Sequence, residues 1–269
     1  MTSVSSSPAA LAFRKAAERA EALAEDAAVA AEPLRFAAGL YRVQGEVAGA
    51  IQALHAARPL SGRLETDAAR LVEPLRAIHR HAAEVGPGGL AEVARERLGE
   101  SPEVAQARLG VYWNGSRDER EDFLSRAALR PYVEVLVRNQ VTVDRPKPER
   151  ACPHCGGQPW VAARRSPPST HGALRLLLCA LCGSEWTVNR IVCPACGESD
   201  PDHLPAFSTE RYPAVRIEGC ETCHRYVKSI DLTLDGRAIP EVDDLLSVGM
   251  DLWAGEQGFT RIEPGLAGV

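Results

Sequence analysis

The sequence lacks any long hydrophobic run and any recognisable export signal. No window approaches the roughly 18 uninterrupted apolar residues that a membrane span requires. The first residues, Met1 to Pro8, lack the basic start and the apolar stretch of a secretory signal. At 269 residues, with 45% hydrophobic side chains, the chain can still bury the cores of two domains. We therefore expect a soluble, cytoplasmic protein without membrane insertion.

A surplus of basic residues is also absent. The chain has 31 lysines and arginines against 36 acidic residues, with 21 against 21 up to Arg150 and 10 against 15 beyond it. Because nucleic acids attract proteins mainly through basic residues, a nucleic-acid-binding role is disfavoured. The sequence also shows no phosphate-binding loop and no activated nucleophile, so we predict that the protein is not an enzyme.

The first half of the sequence has the pattern of helices. From about Ala9 to Gln140 the chain is rich in Ala, Leu, Arg and Glu, and apolar residues recur every three or four positions. Two such stripes are Leu40, Val43, Val47, Ile51 and Leu54, and Leu71, Leu75 and Ile78. Ser101 followed by Pro102 predicts a capped helix start, and Pro131 is predicted to begin the last helix. We predict an all-α domain over residues 1–143.

A change of composition marks the second half. Residues 144–150 contain two prolines among charged residues and are predicted to be a linker. The short apolar runs that follow, punctuated by glycine, proline and cysteine, indicate small β-ribbons. Residues 237–269 are predicted to form a C-terminal amphipathic helix and tail, whose apolar face consists of Val242, Leu245, Gly249, Leu252 and Trp253. Asp243 and Asp244 are expected to be surface acids in its first turn.

All eight cysteines fall in Cys-x-x-Cys pairs, which are Cys152 with Cys155, Cys179 with Cys182, Cys193 with Cys196, and Cys220 with Cys223. Adding 41 to the first four positions gives the second four, so the segment is an internal duplication. The duplication extends beyond the cysteines, because Leu174-Arg175-Leu176 matches Val215-Arg216-Ile217.

A glycine follows three of the four pairs, at Gly156, Gly183 and Gly197, and His224 takes that place in the fourth. Glycine there leaves the backbone free to turn, so that both sulfurs of a pair can face one ion and backbone amides can point at a sulfur. With four cysteines available for each site, His154 and His224 are not needed as ligands.

Metal binding explains the cysteine pattern better than disulfides, which need an oxidising compartment, or a thioredoxin-like motif, which uses one pair on a βαβ unit. We predict two mononuclear metal ions, each in a four-cysteine site. The favoured sets are Cys152, Cys155, Cys179 and Cys182, and Cys193, Cys196, Cys220 and Cys223. A site that joins the two middle pairs across 10 residues is the alternative. Spacing does not distinguish iron from zinc, and a site closed at four ligands leaves no position to activate water.

These residues resemble the FdhE family, the accessory proteins needed to form active formate dehydrogenase. The resemblance rests on Cys152-Pro-His-Cys-Gly-Gly157, Cys179-Ala-Leu-Cys182 with Glu185-Trp186, Arg190 to Cys193, and Gly219-Cys220-Glu-Thr-Cys223 with Tyr226-Val227-Lys228. It continues through Val242-Asp243-Asp244-Leu245 and Glu256-Gln257-Gly258-Phe259, and Arg130-Pro131-Tyr132 in the helical half also agrees.

The resemblance implies an α+β multidomain protein, in which the helical domain precedes two tandem rubredoxin-like, or zinc-ribbon-like, modules over residues 151–190 and 191–236. It implies a role in the maturation of formate dehydrogenase, with the catalytic subunit of a respiratory formate dehydrogenase as the partner in the cytoplasm. Because the cysteines of that family are associated with iron, iron is favoured and zinc is the alternative. A rubredoxin-type electron carrier is the alternative function, and a zinc-ribbon nucleic-acid-binding protein is the least favoured one.

Overall fold

The structure, a computed structural model, describes residues 7–26, 30–115, 122–166 and 172–268. It divides into two compact units, Met1–Pro146 and Lys147–Val269. The first unit is helical, and the second is built on one β-sheet that carries two clusters of four cysteines. Within the described ranges, no helix is both long enough and apolar enough to cross a membrane.

The described part of the first unit forms the helices α1 Pro8–Asp26, α2 Ala31–Ala57, α3 Leu64–Val85, α4 Gly88–Leu98, α5 Pro102–Asn114 and α6 Phe123–Arg138. Burial of the predicted stripes joins these helices, since each fully buried aliphatic side chain contributes about 1.5–3 kcal/mol. The buried members of the two stripes are Leu40, Val47, Ile51, Leu71, Leu75 and Ile78. Helix α5 begins as predicted, because the Ser101 hydroxyl accepts a hydrogen bond from the Val104 N–H and Pro102 occupies the first turn.

Helix α6 is buried on every side, which the sequence pattern did not indicate. All its residues from Leu124 to Leu136 are buried, including the charged Arg130. The Arg130 guanidinium lies over the rings of Phe13 and Tyr41, 5.2 and 5.6 Å from their centroids. Aromatic rings of α1 and α2 therefore accommodate a cation on the central helix.

Pro131 lies inside α6, so the prediction that it begins the last helix is wrong. The helix begins at Phe123, after the capping residue Asp122. A proline inside a helix leaves the carbonyl four residues earlier without its usual donor. Here that carbonyl belongs to Ala127, and it accepts a hydrogen bond of 2.8 Å from the side-chain amide of Gln44 on α2. This contact makes the internal proline tolerable.

The second unit contains the strands β1 Pro159–Arg165, β2 Leu174–Cys179, β3 Glu185–Val188, β4 Ala206–Ser208, β5 Val215–Cys220, β6 Arg225–Asp231 and β7 Thr260–Arg261. They form one sheet in the order β3-β2-β1-β6-β5-β4, with β7 paired to β6. Pairing is antiparallel within each repeat, and β1 joins β6 in parallel. Because β5 lies 41 residues after β2, the two copies of the repeat follow each other across the sheet in the same orientation.

The C-terminal segment is not the single amphipathic helix that we predicted. It consists of α7 Pro240–Asp243, a 3₁₀ turn Asp244–Ser247 and α8 Val248–Glu256. A 3₁₀ turn advances about 120° per residue instead of about 100°, so four residues rotate the later positions by roughly 80°. Leu252 and Trp253 are therefore 57% and 36% exposed, although Val242 is buried. Met250 and Ala254 pack in the core of the sheet unit instead.

Asp243 and Asp244, predicted as surface acids, are buried. The Asp244 carboxylate lies 3.0 Å from the Lys228 ammonium and 2.8 Å from the Arg261 guanidinium. Both cations also contact Asp251. These four side chains form a buried network that joins β6 and β7 to the C-terminal helices. Periodicity did not predict it, because the partners come from distant parts of the sequence.

Candidate metal centres

The structure gathers the eight cysteines into two groups, each drawn from one repeat. The first group is Cys152, Cys155, Cys179 and Cys182, and the second is Cys193, Cys196, Cys220 and Cys223. Within each group the sulfur atoms lie within 4.8 Å of one another. All eight cysteines lie in the described ranges and are thiols, not disulfides. The grouping is the one favoured from the sequence, and the two middle pairs do not share a site.

Four similar turns place the sulfurs. In each turn, the N–H four residues after the first cysteine donates to the carbonyl of that cysteine at 2.8 to 3.1 Å. The donors are Gly156, Gly183, Gly197 and His224, and all four have a positive φ, of 72°, 65°, 86° and 53° respectively. Glycine adopts this left-handed backbone freely, as predicted, whereas histidine adopts it under strain.

Backbone amides point at several of the sulfurs. Three backbone N–H groups donate to a cysteine sulfur at 3.4 Å. They are Gly157 to Cys155, Leu181 to Cys179, and Ala195 to Cys193. Hydrogen bonds of this kind favour the thiolate form, which is the form that binds a metal. The turns therefore place the sulfurs and also supply donors to them.

The spacing of the sulfurs suits one four-coordinate ion in each group. Paired sulfurs are 3.6 Å apart for Cys152 and Cys182, 3.4 Å for Cys155 and Cys179, and 3.7 Å for both Cys193 with Cys223 and Cys196 with Cys220. In a tetrahedral site with metal–sulfur bonds of about 2.3 Å, neighbouring sulfurs are about 3.8 Å apart. Both groups could therefore hold a metal ion, and four thiolates suit iron as well as zinc.

Thiols this close to one another do not ionise independently. Burial raises the pKa of Cys179 well above its ordinary value and also raises the pKa of Cys223. Hydrogen bonds from the sulfurs of Cys155, Cys179 and Cys182 lower the pKa of Cys152. Four thiolates in one group require a cation that balances their charge, which is what a divalent metal supplies.

The two groups differ in their exposure to solvent. All four cysteines of the first group are buried. In the second group Cys193 and Cys220 are buried, Cys223 is half-buried and Cys196 is exposed. The second group is therefore the one that a reagent or a partner can reach directly.

Two further features surround the sulfurs. A Cβ atom on Gly157 would lie 2.7 Å from the Cys179 sulfur, so only glycine fits at this position. We attached no separate role to Gly157 from the sequence, where the only signal was the second of two consecutive glycines. His154 and His224 are both exposed and belong to neither group.

Comparisons with known proteins point to one family. Residues 151–190 match the family described as FdhE, central domain, and residues 191–266 match FdhE, C-terminal domain. A relative from Aquifex aeolicus (strain VF5), named Protein FdhE homolog, is 38% identical over 117 residues, which are 44% of this chain and 41% of the relative. A second Protein FdhE homolog, from Pseudomonas aeruginosa, is 38% identical over 121 residues, which are 43% of this chain and 38% of the relative. The chain thus matches about two-fifths of the length of these curated relatives.

A solved structure is similar over much more of the chain. The crystal structure of the FdhE protein from Pseudomonas aeruginosa matches with a TM-score of 0.67 and 25% sequence identity, covering 94% of each chain. The helical first unit therefore resembles that protein in fold, although the two family models match only residues of the second unit.

Proposed function

Because the chain belongs to the FdhE family, we propose that it is an accessory protein for the formation of active formate dehydrogenase. It binds the catalytic subunit of a respiratory formate dehydrogenase in the cytoplasm and does not itself turn over a substrate. The pair of four-cysteine groups within the matched region carries this proposal. A site closed at four ligands suits a structural role or electron transfer, because it leaves no position at which water could be activated.

Each group holds one metal ion in this proposal, with iron favoured over zinc, and each repeat is a rubredoxin-like module. The ligands are Cys152, Cys155, Cys179 and Cys182 in the first site, and Cys193, Cys196, Cys220 and Cys223 in the second. Iron would supply one-electron oxidation and reduction, whereas zinc would supply only a cross-link. The chain itself contributes the four turns that fix the sulfurs and the amides that point at them.

Metal analysis and absorbance of the full chain, purified without air, test the metal assignment. We expect two ions per chain, and a visible absorbance that is bleached reversibly on reduction. Cys152→Ser and Cys193→Ser should each remove one ion and spare the other. Ala195→Ser, which places a serine in a turn without removing a ligand, should retain both. A colourless zinc-loaded protein would overturn the iron assignment, and loss of both ions in either cysteine variant would contradict independent sites.

Co-purification tests the partner. The tagged, metal-loaded chain should retain the catalytic subunit of formate dehydrogenase, and deletion of its gene should abolish formate dehydrogenase activity in the cell. Reintroduction of the wild-type gene should restore that activity. The proposed function is wrong if the subunit is not retained and the deletion leaves the activity intact.

The exposed Cys196 and the half-buried Cys223 favour a second candidate, a rubredoxin-type electron carrier. Electron transfer benefits from a centre near the surface, and the second group is the accessible one. A carrier would exchange electrons reversibly with a redox partner without retaining the catalytic subunit. Redox titration of the loaded protein checks this candidate, because a protein that cannot be reduced is not an electron carrier.

A further inference from the structure

A cavity of about 270 Å³ lies in the sheet unit beside the second cysteine group, with Cys193 in its wall. Five arginines line it, namely Arg164, Arg175, Arg190, Arg216 and Arg225. Four of them stand on one face of the sheet, because Arg164 on β1 pairs with Arg175 on β2, and the register places Arg216 and Arg225 on the same side. Arg190 reaches the cavity from the segment after β3.

This concentration of arginine contrasts with the rest of the unit. The chain beyond Arg150 has 10 basic and 15 acidic residues, so half of its cations line one cavity. The same duplication that produced the cysteine sites contributes two of them, since Arg216 lies 41 residues after Arg175. The sequence therefore contained a signal for this site in the matched Leu-Arg-Leu and Val-Arg-Ile segments.

The acidic partners in the cavity are too few to balance these arginines. Among the described residues that line the cavity, Glu218 is the one with a carboxylate. The Arg175 guanidinium forms an ion pair with that carboxylate at 2.7 Å. Arg175 also donates to the Val192 carbonyl at 3.0 Å, which fixes the segment that forms one wall. Arg164 lies 3.9 Å from Asp231. Two of the five arginines are thus committed to acidic side chains of the unit itself.

The other three arginines have no such partner. Across the described part of the chain, no carboxylate lies within 4.0 Å of the side-chain nitrogens of Arg190, Arg216 or Arg225, and Arg190 donates only to the Ala173 carbonyl at 2.7 Å. Three guanidinium groups around one cavity attract an anion, and each can bind a phosphate through two parallel hydrogen bonds.

The remaining wall of the cavity is apolar. Ile191, Val192, Pro194, Leu204 and Pro205 contribute to it. A pocket that combines apolar walls with a few convergent charges fits an amphiphilic small molecule. We propose that this cavity binds a small organic phosphate, whose phosphate group lies among Arg190, Arg216 and Arg225 and whose apolar part packs against Ile191.

The arginines could instead serve only to balance the negative charge of a loaded cysteine site, since four thiolates and one divalent ion carry a net charge of about −2. The two roles predict different results. Charge balance requires no added anion, and replacement of the arginines would then alter metal retention. A binding site predicts saturable uptake of a phosphate, and replacement would weaken that uptake while the metal stays in place.

Isothermal titration calorimetry tests the proposal. The metal-loaded full chain is titrated with phenyl phosphate and, separately, with inorganic phosphate, at low ionic strength, where screening of charges is weak. We expect one saturable site per chain, with phenyl phosphate bound more tightly. Arg216→Gln with Arg225→Gln should weaken binding about tenfold or more, because charge-assisted hydrogen bonds are lost. Arg211→Gln with Arg237→Gln removes the same charge from exposed positions outside the cavity and should leave binding unchanged.

Several results would overturn the proposal. Absence of saturable binding to the wild-type chain would do so, as would an equal loss in both double variants, which indicates attraction by net charge alone. Equal affinity for phenyl phosphate and inorganic phosphate would contradict the proposed contact between an apolar part of the ligand and Ile191. Metal content is measured on every variant, and if Arg216→Gln with Arg225→Gln loses metal, the exposed Arg190→Gln variant replaces it. Unchanged binding in Arg190→Gln would then contradict the site.

Discussion

At the scale of single residues, Gly157 shows how closely the chain packs around the first group of sulfurs. A Cβ atom there would lie 2.7 Å from the Cys179 sulfur and 3.0 Å from the Leu181 side chain. We therefore predict that Gly157→Ala displaces a ligand, so that metal analysis finds one ion per chain instead of two. Gly249→Ala is the matched control, because nothing lies within 4 Å of that position. Two retained ions in Gly157→Ala would show that the first site can expand.

His224 carries backbone strain that its three counterparts avoid. Its φ is 53°, whereas glycine occupies the same place in the other turns. The left-handed region costs a non-glycine residue about 1–2 kcal/mol, and a glycine at this position would avoid that cost. Part of the resulting stabilisation is lost again, because glycine has a larger conformational entropy in the unfolded state. His224→Gly should therefore raise the free energy of unfolding of the loaded protein by up to about 1 kcal/mol. Its carbonyl, which accepts from the Thr260 N–H at 2.8 Å, is kept.

Denaturant unfolding measures this change against His154→Gly. His154 also lies in a cysteine turn and is exposed, but it is not among the residues with a positive φ. Glycine there relieves no strain and should stabilise nothing. If His224→Gly is no more stable than His154→Gly, the strain at His224 is compensated elsewhere.

At the scale of elements, Gln44 and Pro131 act as a pair. Pro131 deprives the Ala127 carbonyl of its helical donor, and Gln44 supplies one at 2.8 Å. Gln44→Leu should therefore cost about 1–3 kcal/mol, because it leaves a buried carbonyl without a partner. In the Pro131→Ala background the helix supplies its own N–H, and the same substitution should cost less. A double-mutant cycle by denaturant unfolding measures the coupling, and strict additivity would contradict it.

The buried ionic network is a second device at this scale. Lys228 is fully buried and contacts Asp244 and Asp251, which Arg261 also contacts. Lys228→Met should destabilise the second unit by about 3–5 kcal/mol, because it leaves two buried carboxylates with one cation. Arg237→Met is the control for lost charge, since the Arg237 side chain is 87% exposed. Denaturant unfolding should show little change in the control, and a loss below about 1 kcal/mol in Lys228→Met would contradict the network's role.

The parts of the fold that could be predicted from the sequence are those that depend on local, regular patterns. Cysteine spacing is local and strict, so the grouping of the sulfurs and the glycine turns followed from the sequence. The stripe Leu71, Leu75 and Ile78 was predictable because a regular helix repeats every 3.6 residues. The 3₁₀ turn Asp244–Ser247 breaks that regularity and exposes Leu252. The position of Pro131 inside α6 could not be predicted, because the hydrogen bond that replaces the missing one comes from Gln44 in another helix.

At the scale of the whole molecule, the duplication has produced two sites in one continuous sheet. The copies follow each other in the order β3-β2-β1 and β6-β5-β4, and their turns share the same hydrogen bonds. Their surroundings nevertheless differ, because each copy occupies a different position in the unit. The first group is buried, whereas the second retains an exposed and a half-buried cysteine. Duplication therefore supplied two similar centres, and the packing of the unit made one of them accessible.

If each group holds one metal ion, as proposed, this difference in exposure predicts which site loses its ion first. A chelator must approach a sulfur or the ion between the sulfurs, and Cys196 gives it a route to the second site, whereas the first site has to open first. Release from the loaded protein, followed with a chromogenic chelator, should therefore show a fast and a slow phase of similar amplitude. Cys193→Ser should remove the fast phase and Cys152→Ser the slow one, with Ala195→Ser retaining both. A single phase in the wild-type chain would mean that both sites open together, and that the local exposure of Cys196 does not control access.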